Sequence, residues 1–103
     1  MRGEVYRLNA PRNARGREQA GSRYAVAVQS DDLPLSTLLV APTSTSARPA
    51  SFRPKVEVGG RPTLVLAEQT AAVDPTRLGP SVGHLTFEEL RRLEAALRLV
   101  MQL

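Results

Sequence analysis

The chain has 103 residues, 42% of them apolar and 23% charged, which is enough for one modest core and too apolar for a disordered segment. A single domain over residues 1–103 is expected. The net charge is +4 with Lys55 as the only lysine, and there is no cysteine, so a disulfide framework and a thiolate metal site are excluded. No apolar run approaches the roughly 18 residues of a membrane-spanning helix, and Met1 to Ala10 carries charges every few positions. A cytoplasmic protein without a membrane partner is therefore expected.

Taken in chain order, Gly3-Glu4-Val5-Tyr6-Arg7-Leu8 alternates polar with apolar side chains and predicts a strand with one buried face. Asn9 to Ser22 holds Pro11, Gly16, Gly21 and several arginines without periodicity, which predicts a long loop. Tyr24–Val28 and Thr37–Ala41 are short apolar runs suited to central strands. Pro42 to Pro54 is polar and small. Alternation then returns at Lys55-Val56-Glu57-Val58, and Gly59-Gly60 predicts a hairpin turn into a strand over Thr63–Ala67, because paired glycines reach the positive φ of primed turns.

Asp74-Pro75 and Gly79-Pro80 read as breakers, with Ser81–Leu85 as a last edge strand. The period changes only after that. Thr86-Phe87-Glu88-Glu89 has the form of a capping box, and Leu90, Leu93, Leu97, Val100 and Met101 recur on one helical face. On the other face, Glu88 with Arg91 and Arg92, and Glu94 with Arg98, stand at ion-pair spacing. The expected fold class is mainly β with one C-terminal helix.

The acids are scattered without metal-ligand spacing, so neither a metal nor another cofactor is expected. His84 is the only histidine, which excludes a two-histidine mechanism within one chain, and its place just before the helix favours capping or packing. What remains is arginine and hydroxyl chemistry. Six arginines fall between Arg2 and Arg23 against Glu4 and Glu18, and hydroxyls cluster at Pro42-Thr43-Ser44-Thr45-Ser46. A guanidinium presents a planar fork of donors to phosphate oxygens, and a hydroxyl beside it donates to the same group. The natural target is a phosphate, and in RNA the 2′-OH itself supplies a nucleophile.

Four stretches give this chemistry a family. Arg2-Gly3-Glu4-Val5-Tyr6, Glu18-Gln19-Ala20-Gly21-Ser22-Arg23, Val40-Ala41-Pro42-Thr43-Ser44-Thr45, and Leu66-Ala67-Glu68-Gln69 followed by Val73-Asp74 and Arg77-Leu78-Gly79 together resemble the MazF/PemK toxin endoribonucleases across nearly the whole chain. The resemblance implies an SH3-like β-barrel of the MazF/CcdB type and a homodimer. It also implies sequence-specific cleavage of single-stranded RNA to 2′,3′-cyclic phosphate and 5′-hydroxyl ends, and a cognate antitoxin, expected to be acidic and partly disordered. It makes Arg23 catalytic together with a strand-end hydroxyl, Ser44 by count from Pro42 and Thr43 second. Arg17, Glu18, Gln19, Thr45 and Gln69 are the expected RNA contacts. Two departures stand out: Tyr24 follows Arg23 where the family has proline, and serine stands where the family has threonine. Within the same fold family the alternatives are a CcdB-like toxin that binds DNA gyrase without catalysis, and an inactive paralogue.

Overall fold

The computed structural model describes residues 1–9 and 23–103. They form β1 (Glu4–Leu8), β2 (Arg23–Ala27), β3 (Leu38–Ser44), β4 (Lys55–Val58), β5 (Arg61–Val65), β6 (Ala71–Val73), β7 (Leu78–His84) and a C-terminal helix, α1 (Phe87–Met101). Of the loop expected over Asn9 to Ser22, residues 10–22 lie outside the described residues.

All pairings are antiparallel, in the order β4-β5-β3-β2-β1-β7, with β6 joined to β3. One edge of β3 takes β2 through Val40–Pro42. Its other edge is shared between β6, against Leu38–Val40, and β5, against Thr43 and Ser44. Division of one strand between two partners, and register shifts where β1 meets β7, let the sheet curl into a half-barrel. Val5, Val26, Ala41, Val56 and Val65 fill its concave face, and α1 closes it with Leu93, Ala96 and Leu97.

The expected mainly β fold with one terminal helix is thus observed, with several differences in detail. β3 runs three residues past Ala41, through Pro42 to Ser44. Proline is tolerated because N–H and C=O of a strand residue point to the same edge. The Pro42 carbonyl accepts from Leu66 N–H at 2.8 Å, where the chain passes from β5 to β6, so the missing donor interrupts no ladder. The second hairpin strand begins at Arg61 and ends at Val65, and Ala67–Gln69 is a single 3₁₀ turn. Gly59 and Gly60 have φ of 60° and 80° and join Val58 directly to Arg61, a two-residue primed turn. β6 is too short to show a period, and β7 starts before Gly79-Pro80. Pro80 sits in the outermost strand, where a missing N–H costs little.

The capping box forms as expected: Thr86 Oγ1 accepts from Glu89 N–H at 3.1 Å, and Glu89 Oε1 accepts from Thr86 N–H at 2.8 Å. The apolar face is shorter than the sequence pattern. Val100 and Met101 are exposed, since the last helical turn passes beyond the core and borders a groove with Leu39 and Leu103. Among the described residues Glu94 pairs with Arg2 rather than Arg98, and Glu88 has no ion pair. Arg2 also donates from Nε to the Val28 carbonyl at 3.1 Å, so the N-terminus is strapped to both helix and sheet. No described helix is long and apolar enough to cross a membrane.

Candidate active site

The β2–β3 ladder ends with Ala25 paired to Pro42, and its register, continued by one and two residues, would bring Tyr24 opposite Thr43 and Arg23 opposite Ser44. A hydrogen bond from Thr43 Oγ1 to the Tyr24 carbonyl, 3.3 Å, holds the end of this pairing. Across β3, Thr43 pairs with Val65 and Ser44 with Leu64, while Val56 pairs with Thr63 and Val58 with Arg61 in the hairpin. Because side chains alternate, Thr43 and Thr63 come to the concave face at one end of the half-barrel.

Together these strands enclose an open cavity of about 460 Å³. β2 contributes Arg23 and Tyr24; β3 and the bend after it contribute Thr43, Ser44, Thr45 and Ser46; the hairpin contributes Val58, Gly59, Arg61 and Thr63. Among the described residues, the positive charge lining it comes from Arg23 and Arg61. The two neighbouring hydroxyls of β3 differ. Thr43 is buried and its proton is engaged with Tyr24. Ser44 Oγ accepts from the N–H groups of Ser46 at 3.2 Å and Ala47 at 3.0 Å, a local turn that fills its lone pairs and leaves its own hydrogen to donate. Ser46 Oγ, 3.4 Å away, is within hydrogen-bond reach of that hydrogen at the long limit, so a bound group competes only with a weak contact.

Of the residues singled out in the sequence, Arg23, Thr43, Ser44 and Thr45 share this cavity. Gln69 is exposed on the 3₁₀ turn and does not line it. Arg17, Glu18 and Gln19 lie outside the described residues. Glu68, beside Gln69, accepts through one carboxylate oxygen from Arg53 Nε at 3.0 Å and Nη2 at 2.6 Å. The Arg53 guanidinium holds the Glu68 carboxyl below its ordinary range, and Arg53 also donates to the Arg48 carbonyl at 3.0 Å. This pair pins the polar segment between β3 and β4. His84 takes a packing role: its ring nitrogens face the carbonyls of Leu85 at 2.8 Å and Arg2 at 3.0 Å, against Gly3. Thr86, not His84, caps the helix.

Sequence reasoning missed Arg61 and Thr63. The signal was in Gly59-Gly60, since a two-residue turn after Val58 obliges Arg61 to pair with it.

The family model of PemK-like, MazF-like toxins of type II toxin-antitoxin systems matches residues 1–101. The chain belongs to this family. A candidate toxin of Mycobacterium tuberculosis strain H37Rv is 40% identical to it over 97 residues, covering 93% of this chain and 92% of that protein. Among solved structures, an endoribonuclease in complex with its cognate antitoxin from a mycobacterial species superposes with a TM-score of 0.80 at 17% identity, covering 100% of this chain and 95% of that one. The Mycobacterium tuberculosis toxin MazF-mt6 gives 0.77 at 17% identity, with 97% of each chain covered. MazF from Deinococcus radiodurans gives 0.76 at 19%, covering 99% and 96%. At such identities the structures speak for the fold, and the half-barrel with its terminal helix is the MazF fold. The Tyr24 and Ser44 departures of this toxin both fall within the cavity.

Proposed function

We propose that this toxin is an endoribonuclease that cuts single-stranded RNA without a metal ion, with Arg23 and Ser44 at the scissile phosphate. One observation carries the reading: Arg23 at the start of β2 and Ser44 at the end of β3 line the same cavity. In cleavage the RNA 2′-oxygen attacks the adjacent phosphorus, the bond to the 5′-oxygen breaks, and the products are a 2′,3′-cyclic phosphate and a 5′-hydroxyl. The 2′-OH proton leaves to solvent and the 5′-oxygen gains one. Arg23 stabilises the charge of the pentacoordinate state; a guanidinium keeps its protons at neutral pH and does not act as a base. Ser44 donates to a phosphoryl oxygen. Thr43, its proton spent on Tyr24, holds β2 in place beside it, and Thr45 contacts the RNA.

The reading extends to a homodimer in the cytoplasm, to RNA contacts from Arg17, Glu18, Gln19 and Gln69, and to an acidic, partly disordered antitoxin. Such a peptide gains charge complementarity on a +4 chain and blocks RNA as it folds.

The test is to incubate the toxin with a long single-stranded RNA in excess EDTA and map new 5′ ends by primer extension, beside Arg23→Ala and Ser44→Ala. Cuts at a recurring motif that fall by two or more decades with Arg23→Ala are expected, roughly the loss for one donor to a developing anion. Intact RNA from a well-folded toxin would overturn the reading.

A further inference from the structure

We infer that the β4–β5 hairpin forms a seat for one RNA base next to the cut, with Thr63 as its contact at the floor and Arg61 on the neighbouring phosphate. This rests on the ribonuclease reading above and adds to it a position at which base identity is read.

Thr63 is only 6% exposed, yet its Oγ1 has no hydrogen-bond partner among the described residues. Its strand neighbours explain the burial and not the hydroxyl. Val56 lies opposite it, Val65 two residues along the same face, and a valine at position 63 would match them without leaving a polar atom unpaired. Thr43, the other buried threonine of the cavity, has its donor satisfied. Thr63 therefore bears an uncompensated cost on a side chain that lines an open cavity. Turning about χ1 exchanges its hydroxyl and methyl, so presenting the hydroxyl to a bound group breaks no existing bond.

The chemistry of the surroundings selects a base for that group rather than a phosphate. The cavity, about 460 Å³, is of the size that takes small molecules. Tyr24 and Val58 give it apolar wall beside the hydroxyls, as stacking on a splayed-out base requires, whereas a charged phosphate stays with solvent and the arginines. Arg61 is exposed, and it pairs with Val58 across the hairpin while Thr63 pairs with Val56 two residues deeper. A strand whose base enters the cavity thus keeps its backbone near Arg61 and, at the other side of the site, Arg23. A hydroxyl both donates and accepts, so Thr63 can pair with the edge of a base of either polarity.

The experiment compares wild type, Thr63→Val, Thr63→Ser and Arg61→Gln. Each is given short single-stranded RNAs that carry the mapped cleavage motif with all four bases in turn at the positions adjoining the cut. Expected is a drop in kcat/KM of about tenfold for Thr63→Val with the preferred base at one such position, the worth of one hydrogen bond, and a levelling of preference there alone. Thr63→Ser keeps the preference, and the melting temperature of Thr63→Val equals or exceeds that of wild type because an unpaired buried hydroxyl is gone. Arg61→Gln weakens all RNAs alike and flattens the salt dependence of binding. Unchanged base preference in Thr63→Val, or an equal loss for every RNA, overturns the inference. Should the wild-type toxin cut no RNA, the ribonuclease reading itself fails and the base seat falls with it.

Discussion

Ser44 and Thr43 are adjacent hydroxyls, yet their hydrogen bonds suit them to different tasks. Ser44 receives two backbone N–H groups and has its hydrogen to give, whereas Thr43 gives its hydrogen to Tyr24. Ser44→Ala is therefore expected to slow cleavage at nearly constant melting temperature, while Thr43→Val is expected to lower the melting temperature as well; parallel thermal melts and cleavage rates check this. Arg23→Lys keeps the charge and loses the planar fork, and near-normal cleavage by it would count against a bidentate contact. Gly3 has φ of +87°, and a Cβ there would stand 2.9 Å from Cε1 of a His84 ring held between two carbonyls. Gly3→Ala is expected to cost at least about 1 kcal/mol in urea unfolding. The candidate site was half legible at this scale. Arg23, Thr43, Ser44 and Thr45 were named because the short stretches around them resemble family motifs, which a contiguous run of sequence can carry. Arg61 and Thr63 were not, since their relevance comes from a hairpin folded across β3, and pairing between strands is invisible until register is known.

Elements with a local cause were read nearly to the residue. The two-glycine turn and the Thr86–Glu89 box each satisfy backbone groups within four residues, so nothing distant is needed to form them. β6 and the path of β3 through Pro42 depend on partners far along the chain, and no window of sequence contains them. The same applies to Glu94, whose partner stands at the opposite end of the chain. Glu89 shows how one residue serves both kinds of link, because its second carboxylate oxygen accepts from the Glu57 N–H of β4 at 2.9 Å. Burial pushes the Glu89 carboxyl up, but the N–H groups of Thr86 and Glu57 outweigh it and hold it below its ordinary value of 4.5. The sign follows from linkage: a carboxyl depressed in the folded state adds stability above its unfolded pKa and loses it as pH falls through the folded value. Glu89→Ala is thus expected to cost about 1 kcal/mol at pH 7, lowering the melting temperature by roughly 4–8 °C, with the gap to wild type closing below pH 4.5. A gap that stays constant as pH falls through the whole carboxylate range would sink this account.

Over the whole molecule, the cavity and the core share one wall, since Val58 lines the first and belongs to the second. The cavity opens at the ends of β2, β3 and the β4–β5 hairpin, and α1 closes the concave face of the same strands through Leu93, which is fully buried. Leu93→Ala is expected to cost about 2–5 kcal/mol, a large part of the stability of a domain this size, and denaturant titration checks it. The pairing of β1 with β7 has a consequence in time. Glu4 pairs with His84 and Arg2 with Glu94, so β1 has one side unfilled until β7 has been synthesised. At about 5–20 residues per second the wait is on the order of ten seconds. Under the proposed activity, a growing chain cannot complete its half-barrel until β7 has been made, and the message being read is spared for at least that interval.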